Sequence, residues 1–284
     1  MYILMINKKY LKNLRCKEIN NKNNFIFDLY NDRIIDSLDL ITLDFKNILI
    51  LGDNGHKINK YIQKRFTDAK ILIYDINKNS YFLKSKNINT KIIDLDIWSP
   101  DQNKYDLIIS NFFLNFSKSL ESILSKILKS LLPNGFFLAT LPGHENFNFL
   151  KSAMIETDLQ LYGGVYNRFN QTYDLKNIID ILKNKNFKIP LVNSEKLHLE
   201  YIKFSKLLLD VRSMNLSYYQ IDKKNTFEKK IYFKRLEENY KKNQSNRFNL
   251  ISNYYLISGW KDHSSQQKPL KPRAAKKKLE DYLK

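Results

Sequence analysis

The chain has 284 residues, and its 48 lysines and arginines against 29 aspartates and glutamates give a formal charge of +19. Its 43% hydrophobic and 13% aromatic content can bury a sizeable core, which excludes a largely disordered chain. The single cysteine, Cys16, excludes an internal disulfide and a multi-cysteine metal site. The four histidines lie far apart in sequence, so we expect no metal site.

The pattern of charge and hydropathy bears on location and partners. No run of eighteen apolar residues occurs, so we expect no membrane span, and the N-terminus lacks the order of a secretory signal, which favours a cytoplasmic protein. Only eight of the 48 basic residues are arginine, a bias typical of an AT-rich genome. We expect a solvated lysine surface without a specific nucleic-acid partner; nonspecific affinity for nucleic acid or acidic proteins is the alternative. The oligomeric state is not indicated.

The first half of the chain alternates between strand and helix patterns after an N-terminal helical segment, residues 1–45. An amphipathic helix with apolar positions from Leu120 to Leu131 has Ser117 or Ser119 as its N-cap and ends at the Pro-Asn-Gly of residues 133–135. Strands are predicted at residues 47–51, 71–74, 91–93, 105–110 and 136–141. This alternation predicts a parallel sheet covered by helices on both faces.

The second half is richer in helix. A late strand at residues 250–258 is expected to close the sheet antiparallel at an edge. We assign residues 46–262 to one α/β domain with a helical insertion near 144–186, and residues 263–284 to a basic tail. Helices are predicted near residues 145–157, 175–182, 205–214 and 226–240, and a strand at 196–201.

A candidate cofactor site follows the first two strands. In doubly wound folds the ligand lies at the carboxyl ends of the strands, where glycines such as Gly52 and Gly55 let the backbone approach it closely. Asp75 ends the second strand, where a carboxylate can accept both hydroxyls of a ribose. Asp53 lies in the same loop, and Asp94 follows the third strand. The simpler alternatives are a turn, a helix cap and solvated loop acids.

The order of these elements, with KYDLIIS and LLPNGFFLAT after them, resembles the core of class I S-adenosylmethionine-dependent methyltransferases. The segments 161–175, 207–215 and 258–272 resemble, more narrowly, the family of mitochondrial complex I assembly factor 5 and its alphaproteobacterial relatives. That resemblance implies a seven-stranded, mostly parallel Rossmann-like sheet and S-adenosylmethionine as cofactor. It also implies a protein substrate in complex I, modified by methyl transfer or by arginine hydroxylation. Malonyl-carrier-protein methyltransferases are a more distant resemblance.

The sequence departs from the family pattern in the glycine loop. Ile50 replaces the acid of the first strand, and Asn54 and His56 stand where the family has glycines. Asn115 and Phe116 replace a His-aromatic pair after the fourth strand. Weakened cofactor binding and loss of the chemistry with retention of the fold are both consistent with these changes.

Several residues of the second half are candidate substrate contacts. Tyr166, Arg168 and Tyr173 flank the two-glycine loop, and Arg212 lies on a helix expected over the site, where a surface salt bridge is the equal alternative. A dense group of donors and acceptors follows the last strand, including Trp260, His263 and Gln267. His263 is the candidate general base, since its ordinary pKa is near 6.5; a plain hydrogen-bonding role is the alternative.

Three functions remain open from the sequence. The first is an S-adenosylmethionine-dependent enzyme acting on a protein substrate, and the second is a non-catalytic assembly factor that keeps the fold as a binding surface. The third is a small-molecule methyltransferase, which an enclosed apolar cavity would favour.

Overall fold

The computed structural model describes residues 6–19, 25–52, 56–76, 88–170, 172–214, 216–224, 226–241 and 247–266. The helices are α1 (Lys8–Ile19), α2 (Phe25–Asp39), α3 (His56–Arg65), α4 (Leu120–Ser130), α5 (Asn148–Tyr162), α6 (Leu175–Asn184), α7 (Phe204–Ser213) and α8 (Lys230–Lys241). The strands are β1 (Asn47–Leu51), β2 (Lys70–Asp75), β3 (Ile88–Ile92), β4 (Tyr105–Asn111), β5 (Leu131–Pro142), β6 (Lys188–Tyr201) and β7 (Phe248–Trp260). No helix in these ranges has the length and apolar content that a membrane crossing requires.

The seven strands form one sheet in the order β3-β2-β1-β4-β5-β7-β6. Strands β1 to β5 are parallel to one another, and β7 pairs antiparallel with both β5 and β6. The predicted α/β fold class is therefore confirmed. The expected edge position of the last strand is wrong, because β7 lies between β5 and β6, and β6 forms the edge.

Side chains alternate across the sheet because successive residues of a strand point to opposite faces. In β1, Leu49 and Leu51 belong to the core cluster that includes α1, α4 and α6, whereas Ile48 and Ile50 belong to the cluster with α2 and α3. All four side chains are at most 3% exposed. Helices therefore cover both faces of the parallel strands, as the strand-helix alternation predicted.

A further core cluster joins α2, α5, α7 and α8 beside β7. Helix α5 contributes Leu150 and Ala153 to this cluster, while α6 packs Ile178 and Leu182 into the cluster of α1 and α4. The predicted helical insertion at residues 144–186 is thus divided between two parts of the core and does not form a unit of its own.

Local signals place α4 and its neighbours. The predicted N-cap is Ser119, whose side chain accepts a hydrogen bond from the Ser122 N–H at 3.2 Å. Helix α4 ends at Ser130, and β5 begins at once with Leu131, so the strand starts before the Pro-Asn-Gly turn signal. Asn134 takes a left-handed φ of 62° within this strand, so the Pro-Asn-Gly segment makes the strand locally irregular and does not end it.

Candidate functional site

The carboxyl end of β1 turns at Gly52. This residue has a φ of +82°, and its N–H donates to the Tyr74 carbonyl at 2.7 Å. A Cβ at this position would lie 2.5 Å from Cγ of Phe113, so only glycine allows the ring to pack against the turn. The predicted cofactor residues Asp53 and Gly55 lie outside the described residues, and their roles remain predictions.

Asp75 lies at the end of β2, as predicted, but its carboxylate is engaged by an arginine from α1. The Arg15 Nη2 donates to Asp75 Oδ2 at 2.9 Å, and its Nε lies 3.2 and 3.3 Å from the two carboxylate oxygens. The Ile76 N–H donates to Oδ1 at 2.7 Å. Arg15 is 1% exposed and Asp75 is 0% exposed, so the two charges form a buried ion pair.

The same guanidinium reaches the turn of β1. Its central carbon lies 5.5 Å from the centroid of the Phe113 ring, which itself packs on Gly52. We call Gly52, Phe113, Arg15 and Asp75 the Arg15 cluster. A ribose at Asp75 would need the two carboxylate oxygens that Arg15 and the Ile76 N–H occupy. The residues as arranged therefore do not fit a nucleoside at this carboxylate.

The acids after β3 are also engaged by α1. Lys8 Nζ lies 2.7 Å from Oδ1 of Asp94 and 2.6 Å from Oδ2 of Asp96. Burial by itself raises the pKa of Asp96, but hydrogen bonds from Lys8 and from the Lys118 N–H hold that pKa below its ordinary value. Asp94, a predicted cofactor residue, thus lies after the carboxyl end of β3 with its carboxylate paired to Lys8, and its cofactor role stays a prediction.

A cavity of about 360 Å³ lies beside this edge, at the carboxyl ends of β4 and β5. Its wall comes from the loop after β4, the end of β5, the loop of residues 163–174, helix α6 and the segment before α8. The predicted substrate residue Tyr173 lines it, together with Asn115, Tyr219 and Gln220. Tyr173, a predicted substrate contact, therefore lies in the wall of a cavity that is large enough for a side chain.

Two side-chain acceptors in this cavity wall have no hydrogen-bond partner. They are Oδ1 of Asn115 and Oε1 of Gln220, and Gln220 is only 6% exposed. Buried polar atoms are normally paired, because an unsatisfied one costs about 1–3 kcal/mol. The cavity wall thus holds two buried acceptors, which a donor in the cavity reaches once the amide groups turn toward it.

Arg168 and Tyr166 have a different position from the one expected. Arg168 Nε donates to Asp158 Oδ2 at 3.0 Å, and its Nη2 donates to Glu228 Oε1 at 2.8 Å. Burial lowers the pKa of Arg168, but its hydrogen bonds to Asp158 and Glu228 raise it above the ordinary value. Tyr166 is 40% exposed, and neither residue lines the cavity. Arg168 fixes the cavity loop to α5 and to the segment before α8.

The candidates near the end of the described chain lie away from the cavity. Trp260 pairs with Phe136 across β5 and β7, whereas Pro142, which lines the cavity, pairs with Tyr254. The two pairs are six positions apart along β5, which is about 20 Å of strand. His263 is exposed and makes its ring hydrogen bond at 2.7 Å with Ser265. The geometry does not bring His263 to the cavity and gives no support to a general-base role there.

Two further candidates remain predictions. Arg212 is exposed on α7, which packs beside β6 and β7, and it does not line the cavity. Gln267 lies outside the described residues. A contact of Arg212 or Gln267 with a partner protein stays a prediction.

Four residues that the sequence did not single out define the site: Lys8, Arg15, Phe113 and Gln220. For Arg15, one signal was present. Arginine is scarce in this chain, eight residues against forty lysines, and a guanidinium binds a carboxylate in a two-pronged geometry that lysine cannot reproduce. The local sequence does not indicate which carboxylate such an arginine binds.

Comparison with known proteins gives relatives at low identity, and no protein-family model matches the chain. The mitochondrial arginine-hydroxylase NDUFAF5 of Dictyostelium discoideum is 28% identical over 282 residues, covering 89% of this chain and 63% of that protein. The human NDUFAF5 is 23% identical, covering 87% of this chain and 73% of that protein. Malonyl-[acyl-carrier protein] O-methyltransferase 1 of Coxiella burnetii is 21% identical, covering 64% and 61%. The chain thus spans less than two thirds of the Dictyostelium relative.

Solved structures establish the fold. A candidate methyltransferase from Bacillus halodurans C-125 has a TM-score of 0.56 at 10% identity, covering 81% of this chain and 99% of that one. Phosphoethanolamine N-methyltransferase 2 of Haemonchus contortus, solved with S-adenosyl-L-methionine, has a TM-score of 0.50 at 16% identity, covering 82% and 53%. The chain has the Rossmann-like fold of class I S-adenosylmethionine-dependent methyltransferases, as the resemblance implied.

Proposed function

We propose that this chain is an S-adenosylmethionine-dependent enzyme of the methyltransferase class that acts on an arginine side chain of a protein in complex I assembly. The relatives named arginine-hydroxylase NDUFAF5 support this substrate, and the fold supports the enzyme class. The observation that carries the proposal is the cavity with the unpaired acceptors of Asn115 and Gln220.

A guanidinium suits this cavity by its chemistry. It carries five N–H donors in one plane and no acceptor, and the amide side chains of Asn115 and Gln220 bring unpaired acceptors into the cavity wall. The rings of Tyr173 and Tyr219 also line the cavity, and a planar cation is attracted to an aromatic face. The described lining contains the basic residue Lys118 and no carboxylate, so amide oxygens and ring faces would have to orient the group against that positive charge.

The chain's own residues would act chiefly by positioning. Five parts of the chain form the cavity wall at the carboxyl ends of β4 and β5, where they would hold the target side chain. The lining residue Leu114 directly follows Phe113 of the Arg15 cluster. Holding two reactants in line is the main task of such an enzyme, because effective molarity supplies much of the rate.

Two alternatives remain. A non-catalytic assembly factor is favoured by the buried pair of Arg15 and Asp75, since that pair occupies the carboxylate expected to bind the ribose. A small-molecule enzyme like the malonyl-carrier-protein methyltransferases is less favoured, because amides and hydroxyls contribute much of the cavity wall, whereas an acyl substrate suits an apolar one.

The first test measures recognition of the side chain. Calorimetry should give tighter binding for N-acetyl-arginine amide than for N-acetyl-lysine amide. Gln220→Met should weaken the arginine ligand by about tenfold, because a hydrogen bond to a charged group contributes about 1.5–3 kcal/mol. Asn148→Leu, at an exposed amide on α5, is the control and should change nothing. Equal affinity for the two ligands, unchanged in Gln220→Met, would contradict the assignment.

The second test identifies the reaction. Arginine-containing peptides from complex I subunits are incubated with the protein and S-adenosylmethionine, and separately with oxygen and a reductant. Mass spectrometry distinguishes the gain of a methylene from the gain of an oxygen atom. Peptides that bind in the cavity and emerge unmodified in both incubations support the non-catalytic assembly factor and overturn the enzyme.

A further inference from the structure

Helix α1 makes two ionic contacts with the edge of the sheet where the nucleoside is expected. Arg15 pairs with Asp75 at the end of β2, and Lys8 pairs with Asp94 and Asp96 after β3. These carboxylates include the predicted ribose ligand Asp75 and the predicted cofactor residue Asp94. The basic groups therefore come from one helix and meet the acids of two neighbouring strands.

The sequence of α1 explains how one helix reaches both places. Lys8 and Arg15 are seven residues apart, which places them on one face about 10 Å apart along the axis. Leu11 lies between them near this face and Leu14 lies on the flank beside it; both are buried, at 1% and 8% exposed. Helix α1 is therefore held by buried leucines in the middle and by an ion pair on each side of them.

Arg15 presents hydrogen-bond donors to Asp75, as the hydroxyls of a ribose would. Ribose hydroxyls are hydrogen-bond donors, and Arg15 donates to both oxygens of the carboxylate that would accept them. The guanidinium also lies against the Phe113 ring, in the space next to the Gly52 turn. Arg15 thus makes the interactions with Asp75 that a nucleoside would otherwise make.

We infer that α1 is an internal occupant of the nucleoside site: Arg15 and Lys8 hold Asp75, Asp94 and Asp96, and a nucleoside binds only when α1 is displaced. The inference rests on the part of the proposed function that concerns S-adenosylmethionine binding, and it does not depend on the arginine substrate. It reconciles the methyltransferase fold with a carboxylate that is 0% exposed.

The beginning of α1 extends this inference to the cavity. The Asn7 N–H donates to the Tyr219 carbonyl at 2.8 Å, and Ile6 forms an antiparallel bridge with Gln220. Ile6 itself lines the cavity. Displacement of α1 therefore changes the nucleoside site and the cavity wall together, so the nucleoside and the cavity ligand are coupled through one helix.

The experiment compares four full-length proteins by calorimetry with S-adenosylhomocysteine: the wild type, Arg15→Ala, Lys8→Ala and the control Lys9→Ala. Lys9 is exposed on the same helix, so its loss removes an equal charge without freeing a described carboxylate. Arg15→Ala and Lys8→Ala should each bind at least about tenfold more tightly than Lys9→Ala, because the fraction of binding-competent molecules rises.

Hydrogen exchange supplies a measurement that does not depend on a variant. Saturating S-adenosylhomocysteine should accelerate exchange of the α1 amides of the wild type, since the bound ligand displaces the helix. If Arg15→Ala does not fold, Lys8→Ala and this exchange measurement decide the matter. Lys8 has a side chain that is 37% exposed, so its removal leaves the core intact.

The outcomes separate the inference from the proposed function. Tighter binding by either variant relative to Lys9→Ala, with faster α1 exchange, supports the inference. Equal affinity, weaker affinity or absent binding in all four proteins overturns it. N-acetyl-arginine amide is titrated in parallel, and its retained binding would keep arginine recognition intact while the inference fails.

Discussion

Arginine and lysine have separate tasks in this protein. Arg15 and Arg168 bind carboxylates through two guanidinium nitrogens, whereas a lysine such as Lys8 places a single ammonium between Asp94 and Asp96. Asp75 was predicted correctly at the end of β2 because strand-end acids have a local sequence pattern. Its partner Arg15, sixty residues earlier, could not be predicted, because a long-range pair leaves no local trace in one sequence.

Replacing Asp75 by alanine is the obvious test of a ribose contact, but the structure calls for a different one. Replacement of Asp75 by alanine leaves Arg15 buried without its carboxylate, and breaking a buried ion pair costs about 3–5 kcal/mol. Loss of nucleoside binding in that variant would not separate a lost ligand from a disturbed fold. Replacement of Arg15 breaks the same pair but keeps the carboxylate, so a gain of nucleoside binding in that variant cannot result from a disturbed fold.

The first residue-scale prediction concerns Gly52. Gly52→Ala should lower the free energy of unfolding by about 2–4 kcal/mol, combining strain at positive φ with overpacking against Phe113. Gly164→Ala is the matched control, since a Cβ there meets nothing within 4 Å, and we expect a change below about 0.5 kcal/mol. Urea denaturation measures both, and equal stabilities of the two variants would refute the packing argument.

At the scale of elements, strand direction determines which candidates reach the site. The antiparallel direction of β7 was predicted, and it already implies that Trp260 at its end lies beside the amino ends of the parallel strands. The position of β7 between β5 and β6 was not predictable, because strand order depends on pairing between distant segments. The bounds of β1, by contrast, match the predicted residues 47–51, since a short apolar run is a local signal.

The loop of residues 163–174 depends on Arg168. Arg168→Lys should lower the free energy of unfolding by about 1–3 kcal/mol, because one ammonium cannot reproduce the bidentate contact with Asp158 and also reach Glu228. It should also weaken binding of N-acetyl-arginine amide, since the loop forms part of the cavity wall. The control is Arg235→Lys, at an exposed pair on α8. Identical stabilities of the two lysine variants would show that Arg168 does not fix the loop.

On the scale of the whole molecule, the excess of lysine is the dominant electrostatic feature. Acids close to the site, including Asp75 and Asp96, are paired with bases of the chain, so the charge of +19 is carried chiefly by the rest of the surface. Such a surface attracts polyanions through counterion release and without reading a sequence. Composition alone predicts this property, but it does not identify a partner.

This surface gives a prediction about nucleic acid. Fluorescence anisotropy with two unrelated DNA duplexes should give equal affinities, which fall at least about a hundredfold between about 50 and about 200 mM salt. The equality follows from phosphate contacts without base recognition, and a lysine-poor protein of similar size is the control. A preference for one duplex that persists at the higher salt concentration would contradict the expectation of no specific nucleic-acid partner.

The late place of β7 in the sequence has a consequence for biosynthesis. A nascent chain that has not yet released residues 248–260 from the ribosome holds β5 with one open edge and β6 with no neighbour, because β7 is the strand between them. Unpaired strand edges are templates for aggregation. Chaperone dependence should therefore persist until translation is nearly finished, and a ribosome that stalls before β7 leaves a product that cannot close its sheet.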